Sequence, residues 1–304
     1  MRSARVVCVG EAMVELAARP AGGWQLGFGG DTVNTAVHLA RFGHDVAYLT
    51  TVGRDPFSQD LCDRLGREGL DNSLILRHPT RQVGLYAITT DDAGERTFTY
   101  WRESSAARAL FDLKETPAAL ARAEGADLLS FSLISLAVLP AGGRRRLLEL
   151  ACRVRKNGGR VAFDGNYRPG LWDTVDAAVE ARSQAVAVAD IGLPTLQDEM
   201  ALCGAPDARA VQAHWQRMGC KEVVVKQGPD GCLLPDGRPS PVPVTVQPVD
   251  TSGAGDAFNA GYLAARLRGS VPAKAAGVGH ELAAWNIRRR GAIPARDPSA
   301  PYGV

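Results

Sequence analysis

The sequence has no Cys-x-x-Cys pair, no excess of either charge and few aromatic residues, 6% of the whole. Each shortage excludes a class of function. The six cysteines, Cys8, Cys62, Cys152, Cys203, Cys220 and Cys232, are scattered and have no histidine at metal-ligand spacing, which argues against a zinc ribbon or a disulfide-stapled scaffold. Reduced thiols in the cytoplasm are the expectation. Lys+Arg number 35 against 33 Asp+Glu, a net charge of +2 with no long block of either sign, so no electrostatic case for nucleic acid exists. The most apolar stretch, Leu128 to Leu139, carries three serines and stops at Pro140, too short to span a membrane. Met1 leads directly into Arg5-Val6-Val7-Cys8-Val9-Gly10, a buried-strand pattern rather than a signal peptide. The clusters Arg144 to Arg146 and Arg288 to Arg290 are expected on solvated helix faces.

What is present is a chain of 304 residues, 45% hydrophobic, with 33 glycines and 18 prolines, enough to bury a sizeable core. Short β-rich runs alternate with helical patterns, which predicts one α/β domain over 1–304 with a mostly parallel sheet flanked by helices. The predicted core strands are Val6–Val9, Val46–Thr50, Leu128–Phe131, Arg160–Asp164, Ile191–Leu193 and Glu222–Lys226. Helices are predicted at Asn34–Phe42, Asp55–Glu68, Gly142–Lys156, Thr195–Cys203 and Val211–Met218. Two alternating runs, Gly84–Thr90 and Arg96–Arg102, surround an Asp/Gly-rich turn at Asp91–Glu95 and read as a hairpin. With a further extended segment at about 24–30, the 84–102 hairpin forms either a small β-sheet lid over a cleft or an extension of the main sheet.

The sharpest chemical signal is Asp250-Thr251-Ser252-Gly253-Ala254-Gly255-Asp256, where a Pro-bounded extended run meets a helix continuing to about Arg268. Glycines let a backbone approach a ligand closely, and the first amides of a helix have no internal partner, so they converge on an anion. Asp256 sits in that first turn, where the helix dipole is expected to keep it ionised at neutral pH. An anion cradle with a built-in acid suits phosphoryl transfer to an alcohol. The bland alternative is a structural N-cap by Thr251 or Ser252. No Gly-Lys-Ser/Thr completes a Walker A loop, and Phe258 occupies the sixth position that a dinucleotide fingerprint reserves for Gly or Ala. His38, His44, His214 and His280 form no triad pattern.

This loop resembles the Asp-Thr-x-Gly-Ala-Gly-Asp signature of the ribokinase-like (PfkB) carbohydrate kinases. Gly29-Gly30-Asp31-Thr32-Val33-Asn34-Thr35-Ala36, followed by Leu39-Ala40-Arg41-Phe42-Gly43, is similar to the N-terminal signature of the same family, with Phe42 where Leu is usual. The resemblance covers nearly the whole chain. It implies a ribokinase-like three-layer sandwich with a β-sheet lid, and a reaction using ATP and Mg2+. It also implies that Asp256 is the general base and that the amides of Gly253, Ala254 and Gly255 form the anion hole. Lys226-Gln227-Gly228-Pro229-Asp230-Gly231 resembles the Lys-x-Gly-x-x-Gly segment beside the nucleotide, although Gly-Pro-Asp-Gly is also ordinary hairpin-turn chemistry. Where many members carry Asn-x-x-Glu, this chain has Thr195-Leu196-Gln197-Asp198 and then Glu199, so the metal ligands stay unassigned.

Two arginines narrow the substrate. Tyr100-Trp101-Arg102-Glu103-Ser104-Ser105-Ala106 and Asp164-Gly165-Asn166-Tyr167-Arg168-Pro169-Gly170-Leu171-Trp172 resemble stretches of the 2-keto-3-deoxygluconate kinases within that family. Guanidinium groups pair bidentately with carboxylates, and a neutral hexose offers no such partner. By this resemblance Arg102 and Arg168 hold an acidic sugar, with Gly30, Asn34, Tyr86 and Tyr100 as further contacts. Asn166, Thr195, Lys226, Gly228 and Gly231 line the nucleotide. For Arg168 a phosphate contact is the competing role, for Tyr86 and Tyr100 hairpin packing, and for Asn34 a helix cap. A fructokinase-like or nucleoside kinase is the nearest alternative, and a catalytically silent sugar-binding protein the alternative of another class. Lids of this family often pair between subunits, so a homo-oligomer is expected.

Overall fold

Along Arg5–Val9 the side chains alternate between two hydrophobic cores: Val6 and Cys8 enter one, Val7 and Val9 the other. A strand buried on both faces belongs inside a sheet covered by helices on each side, which is the parallel α/β arrangement. In the computed structural model, which describes residues 4–19, 22–90 and 96–303, this strand lies within a seven-stranded sheet. The order is Glu222–Val223, Ile191–Gly192, Arg160–Asp164, Leu128–Ser132, Arg5–Val9, Asp45–Val52 and Ile75–Arg77, each neighbouring pair parallel. Helices Ala141–Lys156, Val175–Val188 and Ala208–Arg217 cover one face, and Asp31–Arg41, Ala254–Leu267 and Pro272–Ile287 the other. Among the described residues no helix is long and apolar enough to cross a membrane.

The chain leaves Arg5–Val9 for Asp45–Val52 on one side and later returns to Leu128–Ser132 on the other. Strand order therefore reverses beside the first strand, and in open α/β sheets a crevice forms at the carboxyl ends of the strands at such a point. Gly10, Ser132 and Asp164 lie at those ends.

The lid is a separate sheet, not an extension of the main one. Gly84–Thr90 and Arg96–Trp101 pair antiparallel as expected, while the turn at 91–95 lies outside the described residues. Trp24–Gly29 joins them through Met13–Ala18, which pairs with both Trp24–Gly29 and Gly84–Thr90. Met13–Ala18 was not expected as a strand, because its residues, MVELAA, are mostly good helix formers.

Three other expectations are corrected. The predicted strand Glu222–Lys226 divides: Glu222–Val223 closes the main sheet, whereas Val225–Lys226 pairs antiparallel with Cys232–Leu233. The first helix begins at Asp31 rather than Asn34, with Gly30 as its N-cap at φ +148°. Neither arginine cluster is simply a solvated helix face. Arg144 donates to the carbonyls of Leu136 and Leu139 and lies over the Trp172 ring. Arg288 to Arg290 follow the helix end at Ile287, where Arg289 pairs with Asp297.

Because, among the described residues, the lid shares no hydrogen-bonded edge with the main sheet, its amides should exchange faster than those of Leu128–Ser132. By the resemblance to carbohydrate kinases, saturating sugar should slow exchange across Gly84–Thr90 and Arg96–Trp101. Hydrogen-exchange mass spectrometry with and without sugar reads this, and an unchanged lid would rule out closure.

Candidate active site

The loop before Ala254–Leu267 is built so that no side chain caps the helix. Its N-cap is Gly253, at φ +69° and ψ 9°, and a Cβ there would stand 2.7 Å from that of Ala292. Both the conformation and the close approach require glycine. The alternative of a Thr251 or Ser252 cap is thus not what the chain builds. Asp250 braces the loop, its Oδ1 accepting from Ser252 N–H at 2.8 Å and its Oδ2 from Gly291 N–H at 2.7 Å. Of the three expected anion-hole amides, Ala254 N–H already donates to Thr251 O at 3.2 Å. The segment after the last helix folds back against this loop: Ala292 abuts Gly253, Arg41 donates to Pro294 O, and Tyr302 OH lies 2.7 Å from His38 Nδ1.

Asp256 and Asn34, from opposite ends of the sequence, meet here. Asn34 Nδ2 donates to Asp256 Oδ2 at 2.8 Å, both side chains being buried. Lying inside its helix, Asn34 is not the cap that its position suggested. The same helix brings in Asp31, whose Oδ2 accepts from Asn166 Nδ2 at 3.0 Å. Burial, followed by repulsion from Asp31, raises the pKa of Asp256 well above the usual carboxylate range, with Asp164 adding to the rise and Asn34 and Lys226 opposing it. Desolvation and like charge thus work against the helix dipole that the sequence suggested would hold Asp256 ionised. Burial raises Asp31 in the same direction.

On the far side of Asp256, Lys226 Nζ bonds Asp164 Oδ1 and Asn259 Oδ1, each at 3.1 Å, and Asn259 Nδ2 reaches Asp164 Oδ2 at 2.8 Å. Lys226 points at the anion loop, its Nζ 3.6 Å from where a Cβ on Gly255 would be. It opens a hairpin whose turn contains Gly228 and Gly231, both at positive φ. Lys226 and Thr195 are linked by a β-bridge, and Thr195 starts Leu196–Cys203. That helix presents Asp198, pushed up to about 6 by burial against the opposing charge of Arg168. Glu199, by contrast, is buried beside Arg182 at 3.6 Å, so Asp198 is the acid on the site side. Arg168, half exposed, lies 3.5 Å from Asp198, which places it on this side of the cleft.

The lid supplies the third wall. Tyr86 and Tyr100 are cross-strand partners with ring centroids 6.0 Å apart, and Tyr86 OH donates to Glu15. Arg102 follows the last lid strand and is buried, not on the lid surface; its Nε donates to Glu11 Oε2 at 2.8 Å and its Nη2 to the same oxygen. Gly30 sits beneath, where a Cβ would stand 2.3 Å from Glu11 O. Sequence reasoning did not single out Glu11, Glu15, Asp31, Asp164 or Asn259. For Asn259 a signal existed, since it lies three residues after Asp256 and hence on the same helix face.

Residues 3–299 match the model for the pfkB family of carbohydrate kinases. The chain belongs to that family. It is 41% identical to the 2-dehydro-3-deoxygluconokinase of Escherichia coli K12 over 97% of this chain and 98% of that one. Against a fructokinase of Salmonella typhimurium the identity is 29%, covering 89% of this chain and 87% of the other. The solved aminoimidazole riboside kinase of Salmonella enterica, in complex with aminoimidazole riboside and an ATP analogue, superposes with a TM-score of 0.80 at 26% identity, covering 95% of each chain. The fold of this carbohydrate kinase is accordingly ribokinase-like.

A buried acid with a raised pKa keeps its proton to higher pH, so the base form, and with it kcat/KM, should be lost as pH falls through that value. Asp31→Asn removes the nearest like charge and should move this acidic limb to lower pH; a profile identical to wild type would contradict the coupling. Asp256→Asn should nearly abolish turnover yet raise Tm at pH 8, because the folded state no longer carries a buried charge that it disfavours. Assay and calorimetry of the one variant check both halves.

Proposed function

We propose that this kinase transfers the terminal phosphoryl group of ATP to the terminal hydroxyl of 2-keto-3-deoxygluconate, giving 2-keto-3-deoxy-6-phosphogluconate. The observation that carries the reading is Arg102, a buried guanidinium on the lid side whose bonds to Glu11 leave its Nη1 edge for a substrate carboxylate, a group that a neutral sugar lacks. The greater identity to a 2-dehydro-3-deoxygluconokinase than to a fructokinase points the same way. Residues 1–304 act as one kinase domain, with the lid at about 24–30 and 84–102 as its insert.

In this reading Gly30, Asn34, Tyr86, Tyr100 and Arg102 hold the sugar. Asp256 accepts the hydroxyl proton late, as charge moves onto the phosphoryl oxygens in a loose transition state. A raised pKa makes it a stronger base than a solvated aspartate, whose pKa is about 3.9, and so better matched to an alcohol. The amides at Gly253 and Gly255 and the Lys226 ammonium face the charge that develops. Asn166, Thr195, Gly228 and Gly231 line the nucleotide, and Arg168 contacts its phosphates rather than the sugar acid, given its place beside Asp198.

The donor set fits Mg2+ held jointly with phosphates. Among the described residues no three acidic, His or Cys side chains form a cage of their own, and Mg2+ in such enzymes takes one or two carboxylates plus phosphate oxygens and water. Asp164 and Asp198 are the hard oxygen ligands available on the Lys226 side, and the ion, when bound, would neutralise charge on the phosphates. Trp24, Phe98, Tyr100 and Trp101 are exposed on the lid, which supports a homo-oligomer joined there.

A charge-assisted hydrogen bond is worth about 1.5–3 kcal/mol, so Arg102→Ala should cut the selectivity for 2-keto-3-deoxygluconate over fructose by about one to two orders of magnitude. Arg168→Ala should instead depress turnover on both sugars by a similar factor. Measuring kcat/KM for each sugar in the three proteins separates the roles, and wild-type preference for fructose would overturn the acid-sugar reading.

A further inference from the structure

The chain passes between body and lid at residues 10–12, 30, 83 and 102, and Glu11, on the first passage, lies close to Gly30 and Arg102 on two others and to Gly84 just after the remaining one. Its carbonyl lies against Gly30, its Oε1 stands 2.8 Å from where a Cβ on Gly84 would be, and its Oε2 accepts twice from Arg102. The pair is dry: Glu11 is 2% exposed and Arg102 9%. Glu11 Oε1 is buried without a hydrogen-bond partner among the described residues.

We infer that Glu11 is the positioning residue of the acid-sugar site: at the junction of body and lid it holds Arg102 so that one edge of the guanidinium faces a substrate carboxylate, and a single ion pair sets both carboxylate binding and lid position. The inference rests on the acid-sugar reading above. A guanidinium has five N–H groups, and the bonds to Glu11 use one on Nε and one on Nη2, leaving the Nη1 edge for a second carboxylate. Alone in a dry junction, Arg102 would need an anion at all times; beside Glu11 its charge is balanced when no sugar is bound. Buried ion pairs contribute little net stability compared with apolar packing. What this pair supplies is geometry, since it ties the residue after the last lid strand to the residues that leave the first body strand.

The test is a double-mutant cycle with two readouts. Glu11→Gln keeps the shape and removes the charge. It should raise KM for 2-keto-3-deoxygluconate about tenfold while moving KM for ATP less than about twofold, and should add less than about twofold when placed in Arg102→Ala. An additive effect in that background, or equal changes in both KM values, overturns the assignment. In ligand-free protein Glu11→Gln should also speed amide exchange in Gly84–Thr90 and Arg96–Trp101 but not in Leu128–Ser132; unchanged lid exchange overturns the junction role. Should Glu11→Gln not fold, Gly84→Ala presses on Oε1 without altering charge and should raise the sugar KM in the same way, and a normal KM there counts as refutation. If the wild type prefers a neutral ketose, the acid-sugar reading falls and lid exchange alone judges the junction.

Discussion

Repulsion between carboxylates organises this active site. Asp31, Asp164 and Asp256 come from three separate parts of the chain; Asp164 raises the proton affinity of Asp31, and both raise that of Asp256. Asp198 adds a fourth acid close by, with Arg168 and Lys226 among its charged neighbours. Such crowding costs folding free energy, yet it raises the proton affinity of Asp256, which suits the base role proposed for it, and it favours cations close by. The amide groups of Asn34, Asn166 and Asn259 are what make it tolerable, because each donates to one of these acids where another carboxylate would repel.

The sheet brings these groups together without placing any of them in its interior. Strands buried on both faces have to be apolar along their length, so polar chemistry is confined to their carboxyl ends and to the helix starts beside them. Asp164 ends its strand, Asp31 and Asp256 lie in the first turns of two helices packed on the same face, and Asn166 follows two residues after Asp164. The lid then covers this edge from outside the sheet, which leaves the substrate wall free to change without disturbing the core.

Much of the fold was legible because of that same burial. Segments such as Arg5–Val9 and Arg160–Asp164 need near-continuous β-branched or aromatic residues, and those runs are visible in a single sequence. Met13–Ala18 was hidden since its partners, not its own residues, make it a strand. The break within Glu222–Lys226 was hidden for the same reason, as no local residue announces a change of sheet. At the site, Asp256 and Asn34 stood out because glycines mark the two helix starts, but nothing in the letters shows that they bond across 222 positions. Glu11 has no spacing partner at all, and only the return of the chain at Arg102 gives it meaning.

The tail carries a consequence for biosynthesis. Ala292 abuts Gly253, and the segment bearing it is pinned by Tyr302, whose hydroxyl sits by His38 and whose ring meets Phe42 and Trp285 edge-on. The Gly253 turn therefore depends on residues synthesised well after it, and its packing is complete only once Ala292 and Tyr302 are in place.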